Sequence, residues 1–155
     1  MPHRVRIGHA HLKVRDLERS IEFYRRFLGL EVTERTGPFV FLTGGAVHHE
    51  LALQAVGPRA PSPPAAGVGL YHVAFEVSDR RAFAEAFHAL AAAGVPLAAV
   101  DHGISWALYF ADPDGNGLEI YLDVRGTPEG TRQWNGRTLP LDAQRICEGF
   151  EGFEG

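Results

Sequence analysis

The stretch GHAHLKVRDLERSIEFYR, residues 8–25, returns later in the chain as YHVAFEVSDRRAFAEAFH, residues 71–88. Set one above the other, His9 falls on His72, Val14 on Val77, Asp16 on Asp79 and Glu22 on Glu85, and no gap is needed over the 18 positions. Leu12 falls on Phe75 and Tyr24 on Phe87. A unit that recurs in this way is one piece of supersecondary structure used twice.

Each copy carries the same local grammar. An alternating run comes first, Val5–Val14 and then Leu70–Val77, and alternation predicts a strand with one buried face. Asp16 and Asp79 stand where a helix N-cap belongs. Apolar residues at helical spacing follow, Leu17, Ile21, Tyr24 and Leu28 in the first copy and Phe83, Phe87 and Leu90 in the second. Gly29 and Gly94 close the helices. Three β-rich runs come next: Glu31–Arg35, Phe39–Thr43 and His49–Ala55, then Pro96–Val100, Trp106–Ala111 and Gly117–Asp123. The expected fold is therefore α+β, with two βαβββ modules, residues 5–56 and 68–126, forming a cupped mixed sheet with its helices outside. The run GPRAPSPPAAG, residues 57–67, reads as a linker. The first 126 residues form a single domain on this reading, and residues 127–155 are a polar tail with one short helical turn.

Composition narrows the classes of function. The 155 residues are 45% hydrophobic, enough for a core, and carry a formal charge of −4 with both signs interspersed. That pattern points to neither nucleic acid nor a membrane surface as partner. The one cysteine, Cys147, forms no internal disulfide, and the N-terminus lacks a signal-like apolar run, so a cytoplasmic protein is expected. Histidine, with eight copies, is the residue whose chemistry needs an account.

His9 and His72 hold matched places, and Glu119 lies in the apolar run GLEIYL after the turn-rich DPDGNG, residues 112–117. A buried carboxylate needs a cation. Two imidazoles and one carboxylate on one face of an ion leave its other positions open, the arrangement typical of non-haem Fe(II) oxygenases, which zinc, manganese and nickel also accept. A lone histidine on an apolar strand is more often a hydrogen-bonded core residue, and it is the repeat that favours ligand duty here. His11 is the substitute should His9 not serve. In His48-His49-Glu50, strand alternation turns either His49 or the pair His48 and Glu50 toward the cup, to serve as base or fourth ligand. His102 and Tyr109, in DHGISWALYF (residues 101–110), suit an oxyanion or a proton near an open metal position. Otherwise they are a loop histidine and a half-buried tyrosine. His3 and His88 have no expected role.

The segments HLKVRDLERSIEFYRRFLGLEV, HVAFEVSD and DPDGNGLEIY resemble the vicinal oxygen chelate superfamily, which includes glyoxalase I, fosfomycin-resistance and bleomycin-binding proteins and extradiol dioxygenases. The resemblance spans residues 5–124. GLYHVAF, VDHGISWALYFADPDGNGLEIY and HHELAL are most similar to small catechol 2,3-dioxygenase-like proteins. It implies metal ligands at His9, His72 and Glu119, an acid–base histidine at His49, and substrate-binding residues at His102 and Tyr109. It also implies Fe(II), an aromatic diol and O2 as small-molecule partners, and a homodimer or higher homo-oligomer. Glu50 stands in register with Glu119 and matches a glyoxalase I ligand, so a His9–Glu50–His72–Glu119 site with nickel or zinc and lyase or isomerase chemistry is the second reading. A metal-free binding module with Phe39, Phe41, Trp106 and Phe110 lining an apolar cup is the third.

Overall fold

A computed structural model describes residues 3–150. The chain divides into two compact units, Met1–Val68 with Asp112–Asn116, and Gly69–Ala111 with Gly117–Gly155. The first unit runs β1 (Ala10–Val14), α1 (Leu17–Leu28), β2 (Glu31–Thr36), β3 (Phe39–Thr43) and β4 (Leu51–Ala55). Its sheet has the order β1-β4-β3-β2, with β1 parallel to β4 and the other pairs antiparallel. The second unit repeats the plan with β5 (Val73–Glu76), α2 (Arg80–Ala92), β6 (Ala98–Asp101), β7 (Ser105–Ala111) and β8 (Gly117–Asp123). It then adds β9 (Leu139–Pro140) and α3 (Ala143–Cys147), giving the sheet order β5-β8-β7-β6-β9.

Both helices begin as their sequences require. The Asp16 carboxylate accepts the Arg19 amide hydrogen at 3.0 Å, and Asp79 accepts that of Ala82 at 2.9 Å. Such a cap satisfies an amide that has no partner within the helix and contributes about 1 kcal/mol. Gly29 ends α1 at φ 63°, where a side chain would be strained. In the first unit, Leu12, Val14, Val40, Leu42, Leu51 and Leu53 are buried on the sheet face that packs with Leu17 and Tyr24 of α1. The fully buried Tyr24 donates its hydroxyl hydrogen to Asp112 Oδ2 at 2.8 Å, and burial, with the neighbouring Asp112 charge, pushes its pKa above the ordinary phenol range. Asp114, in the same turn, receives Arg15 at 3.0 Å and Arg19 at 2.8 Å.

In the second unit, Trp106, Leu108 and Phe110 of β7 and Leu118, Ile120 and Leu122 of β8 are buried on the side of Phe83 and Leu90 of α2. Trp106 and Phe110 are therefore core residues and line no ligand cup. Because side chains alternate along a strand, this burial sends Tyr109 and Glu119, paired across β7 and β8, to the opposite face.

Several expected boundaries shift. The first strand begins at Ala10, because its ladder runs on β4 and β4 begins at Leu51. The fifth begins at Val73, opposite Leu118. His9 and His72 thus hold the same place, directly before the first strand of each unit. The tail is also more than polar chain: β9 pairs with β6, Leu141 and Ile146 are buried, and Arg145 lies over the Trp106 ring at 5.0 Å. Among the described residues, no helix is long and apolar enough to cross a membrane.

Candidate metal centre

In the second unit the backbone itself sets the site. A Cβ on Gly117 would stand 2.2 Å from the Tyr71 carbonyl oxygen, so only glycine lets the chain before β5 lie against β8. This approach brings His72, the next residue, to Glu119: His72 Nε2 is 2.9 Å from Glu119 Oε2. Alanine at Gly117 will force the two backbones apart. We expect a loss of about 1–3 kcal/mol of stability, with weakened metal binding, read by thermal melting and by metal titration.

The pair fits a divalent cation. Two donors at about 2.1 Å from a common ion and at right angles to one another are about 3 Å apart, the separation seen here. Glu119 is 8% exposed and, among the described residues, has no arginine or lysine as an ion-pair partner. His72 Nδ1 is buried without a hydrogen-bond partner. A buried polar group left in this way calls for an ion or a water.

Tyr109 joins them, its ring centroid 5.4 Å from that of His72. Burial pushes its phenol up to about 12, and the Glu119 charge adds to the effect. The phenol is thus a proton donor at neutral pH. Its oxygen is 2.9 Å from His102 Nε2. His102 Nδ1 lies 3.1 Å from the Arg137 carbonyl oxygen and 3.1 Å from Thr138 Oγ1. Sequence reading gave Arg137 and Thr138 no role; 35 residues separate them from their partner, and no periodic or motif signal marks them.

The first unit holds a second histidine cluster. The His9 ring lies 4.6 Å from that of His49, which in turn lies 4.8 Å from Phe41. His48 Nε2 is 3.2 Å from Glu34 Oε2, and the His48 and His49 Nδ1 atoms are 2.9 Å apart. A carboxylate only accepts, so neutral His48 carries its hydrogen on Nε2 and accepts at Nδ1 from His49. His49 is then left with a free lone pair on Nε2, the arrangement a general base requires. Burial, with His9 and His48 beside it, lowers the His49 pKa and favours the neutral ring.

The expected choice between His49 and the pair His48 and Glu50 does not arise. Residues 44–50 form a loop ahead of β4, and both histidines lie against the Phe41 ring. Glu50 turns back, its Oε2 accepting the Gly44 amide hydrogen at 2.8 Å. His11 packs its ring edgewise on Phe39, and His3 and His88 are exposed. The geometry thus groups His72, Tyr109, His102 and Glu119 in one unit and His9, His48 and His49 in the other. Among the described residues, no group of three or more His, Cys, Asp or Glu side chains forms a metal cluster.

Known proteins share this plan. A family model described as the Glyoxalase/Bleomycin resistance protein/Dioxygenase superfamily matches residues 6–120. The chain is 37% identical over 145 residues to catechol-2,3-dioxygenase of Bacillus subtilis (strain 168), covering 92% of this chain and 51% of that protein. It is 33% identical over 126 residues to biphenyl-2,3-diol 1,2-dioxygenase 3 of Rhodococcus globerulus, covering 80% of this chain and 66% of the relative. The chain thus spans between half and two thirds of the length of these two relatives. A glyoxalase/dioxygenase crystal structure from Nostoc punctiforme superposes with a TM-score of 0.60 at 25% identity, covering 76% of this chain and 90% of that one. With the repeated βαβββ plan and a family match across both units, the chain belongs to the Glyoxalase/Bleomycin resistance protein/Dioxygenase superfamily.

Proposed function

We propose that the protein is a metal-dependent extradiol-type dioxygenase that opens a catechol-like aromatic diol with O2. The observation that carries this reading is the second unit's cluster, in which a histidine–carboxylate pair 2.9 Å apart adjoins a protonated phenol and a second imidazole. The names of the two curated relatives, both diol-cleaving dioxygenases, support it.

His9, His72 and Glu119 are the ligands in this proposal, and a donor set of two imidazoles and one carboxylate favours Fe(II), with manganese also suited. Such an ion, when bound, supplies open positions for both diol oxygens and for O2, and conducts electrons between them. The remaining work falls to the chain's own groups. His49 Nε2 takes a proton from the diol and later returns it. Tyr109, held protonated by burial and by the Glu119 charge, binds the diol through its phenol oxygen, which accepts a hydrogen bond while its own hydrogen goes to His102. His102 holds the phenol on its other side.

The test is anaerobic reconstitution with Fe(II), or with Mn(II) in parallel, followed by oxygen uptake on a panel of catechols. Uptake with ring opening beside the diol is expected; no uptake with any catechol overturns the reading. Glu50 is not a ligand in this reading, and its Oε2 accepts the Gly44 amide hydrogen. Glu50→Gln will therefore leave metal content unchanged, whereas a lyase-type site with two histidines and two glutamates requires its loss.

A further inference from the structure

We propose that the C-terminal segment Trp134–Thr138 is a positioning element for Tyr109, because the Arg137 carbonyl holds His102 in the tautomer that accepts the phenol's hydrogen. A backbone carbonyl has no hydrogen to give. His102 Nδ1, 3.1 Å from the Arg137 oxygen, therefore carries the proton, shared with Thr138 Oγ1 at the same distance. A neutral imidazole with Nδ1 protonated has its lone pair on Nε2, and Nε2 faces the Tyr109 oxygen at 2.9 Å. The phenol thus donates to His102, which fixes where its single hydrogen points.

The carbonyl is held in place from three directions. Trp134 Nε1 donates to the same Arg137 oxygen at 2.5 Å, and the Trp134 ring meets the His102 ring edge-on at 6.1 Å. The Arg137 guanidinium reaches the buried Asp101 carboxylate at 3.3 Å, and Asp101 is the residue before His102. His102 is fixed from its own side too. Its amide donates to the Ser105 carbonyl at 2.9 Å, and Gly103 follows at φ 79°, where a Cβ would stand 2.5 Å from Thr131 Oγ1. Asp101, His102 and residues 131–138 thus form one continuous structure rather than a loop beside a loose tail.

The tautomer stands independently of the reaction; its catalytic consequence rests on the dioxygenase reading. The experiment is long-range ¹H–¹⁵N correlation of the histidine rings in the full-length, metal-free protein, with the His102→Gln variant used for assignment. The wild type is expected to show His102 as the Nδ1–H form. Arg137→Ala, Trp134→Phe and Thr138→Val are then compared with it; the last two keep the test alive should the first fail to fold. In the first two the single tautomer is expected to give way to a mixture, with kcat for catechol cleavage falling on the order of tenfold at nearly constant KM. Thr138→Val, which spares the carbonyl, is expected to keep the tautomer. An Nε2–H tautomer in the wild type, or an unaltered one in both Arg137→Ala and Trp134→Phe, overturns the proposal. Absence of oxygen uptake in the wild type overturns only the dioxygenase reading, since the ring signals report the tautomer without turnover.

Discussion

Alanine in place of Glu119 is expected to abolish the proposed metal binding and, with it, oxygen uptake with any catechol, while the protein remains folded. Glu119 is buried on the face of β8 opposite the α2 core, so its removal opens no hole among Trp106, Ile120 and Phe83. What goes is the anionic member of the proposed ligand set and the group that faces His72 Nε2 at 2.9 Å. Loss of an outer partner of a metal ligand costs about 10–100-fold in affinity or activity, and loss of a ligand itself will cost more. Glu119→Gln sharpens the test, because it keeps size and hydrogen bonding and removes only the charge. Its metal affinity is also expected to fall by at least about 100-fold. With the Glu119 charge gone, the Tyr109 pKa will drop toward the ordinary phenol value, readable as a lower pH midpoint for tyrosinate absorbance at 295 nm.

Asp101→Ala will be strongly destabilising, because it removes an anion that three groups depend on. The carboxylate is 1% exposed and receives Arg145 Nη1 at 2.9 Å, Arg137 Nη2 at 3.3 Å and the Gly103 amide at 2.7 Å. Breaking a fully buried ion pair on one side costs about 3–5 kcal/mol, but Arg137 and Arg145 are each 37% exposed and water can take up part of their charge, so about 2–3 kcal/mol is expected here. That corresponds to a fall in Tm of up to about 10 °C for a chain of this length. Arg145 also lies over Trp106, so α3 is expected to loosen with it. The pH dependence follows from the direction of the shift. Burial alone would raise the Asp101 pKa, but the Gly103 amide and the two guanidiniums outweigh it and the net shift is downward from 3.8. The stabilisation is therefore complete above pH 3.8 and is lost as the pH falls through the lower folded value. Denaturant titrations of wild type and Asp101→Ala at neutral pH and in acid check this: the difference in stability should be large at pH 7 and shrink below the carboxylate range.

The parts of the molecule legible in the sequence were those governed by local rules. Asp16 and Asp79 cap their helices through the Arg19 and Ala82 amides because an N-cap needs only its own first turn. The first strand of each unit follows from alternation, and the register of β7 on β8 then places Tyr109 opposite Glu119. The repeat placed His9 and His72 equivalently, as the two chains entering β1 and β5 show.

What escaped the sequence depended on partners far along the chain. Leu141 and Ile146 have too few apolar neighbours in sequence to suggest burial, yet β9 pairs with β6, α3 lies against α2, and both residues are buried. Arg137 and Arg145 look like ordinary surface charges until Asp101 appears between them. Trp106 and Phe110 looked like a ligand-lining surface because aromatic content says nothing of which face a strand buries. The arrangement of His48, His49 and Glu50 was missed for a related reason: strand alternation was applied to a segment whose loop gives no alternation.

Metal analysis of the protein purified without chelator and without added metal bears most directly on the central claim. Iron or manganese in stoichiometric amount in the wild type, and its loss in each of His9→Ala, His72→Ala and Glu119→Ala, is the predicted result. A wild type that neither retains nor takes up a divalent ion, or variants that hold it as firmly as the wild type, would contradict the claim.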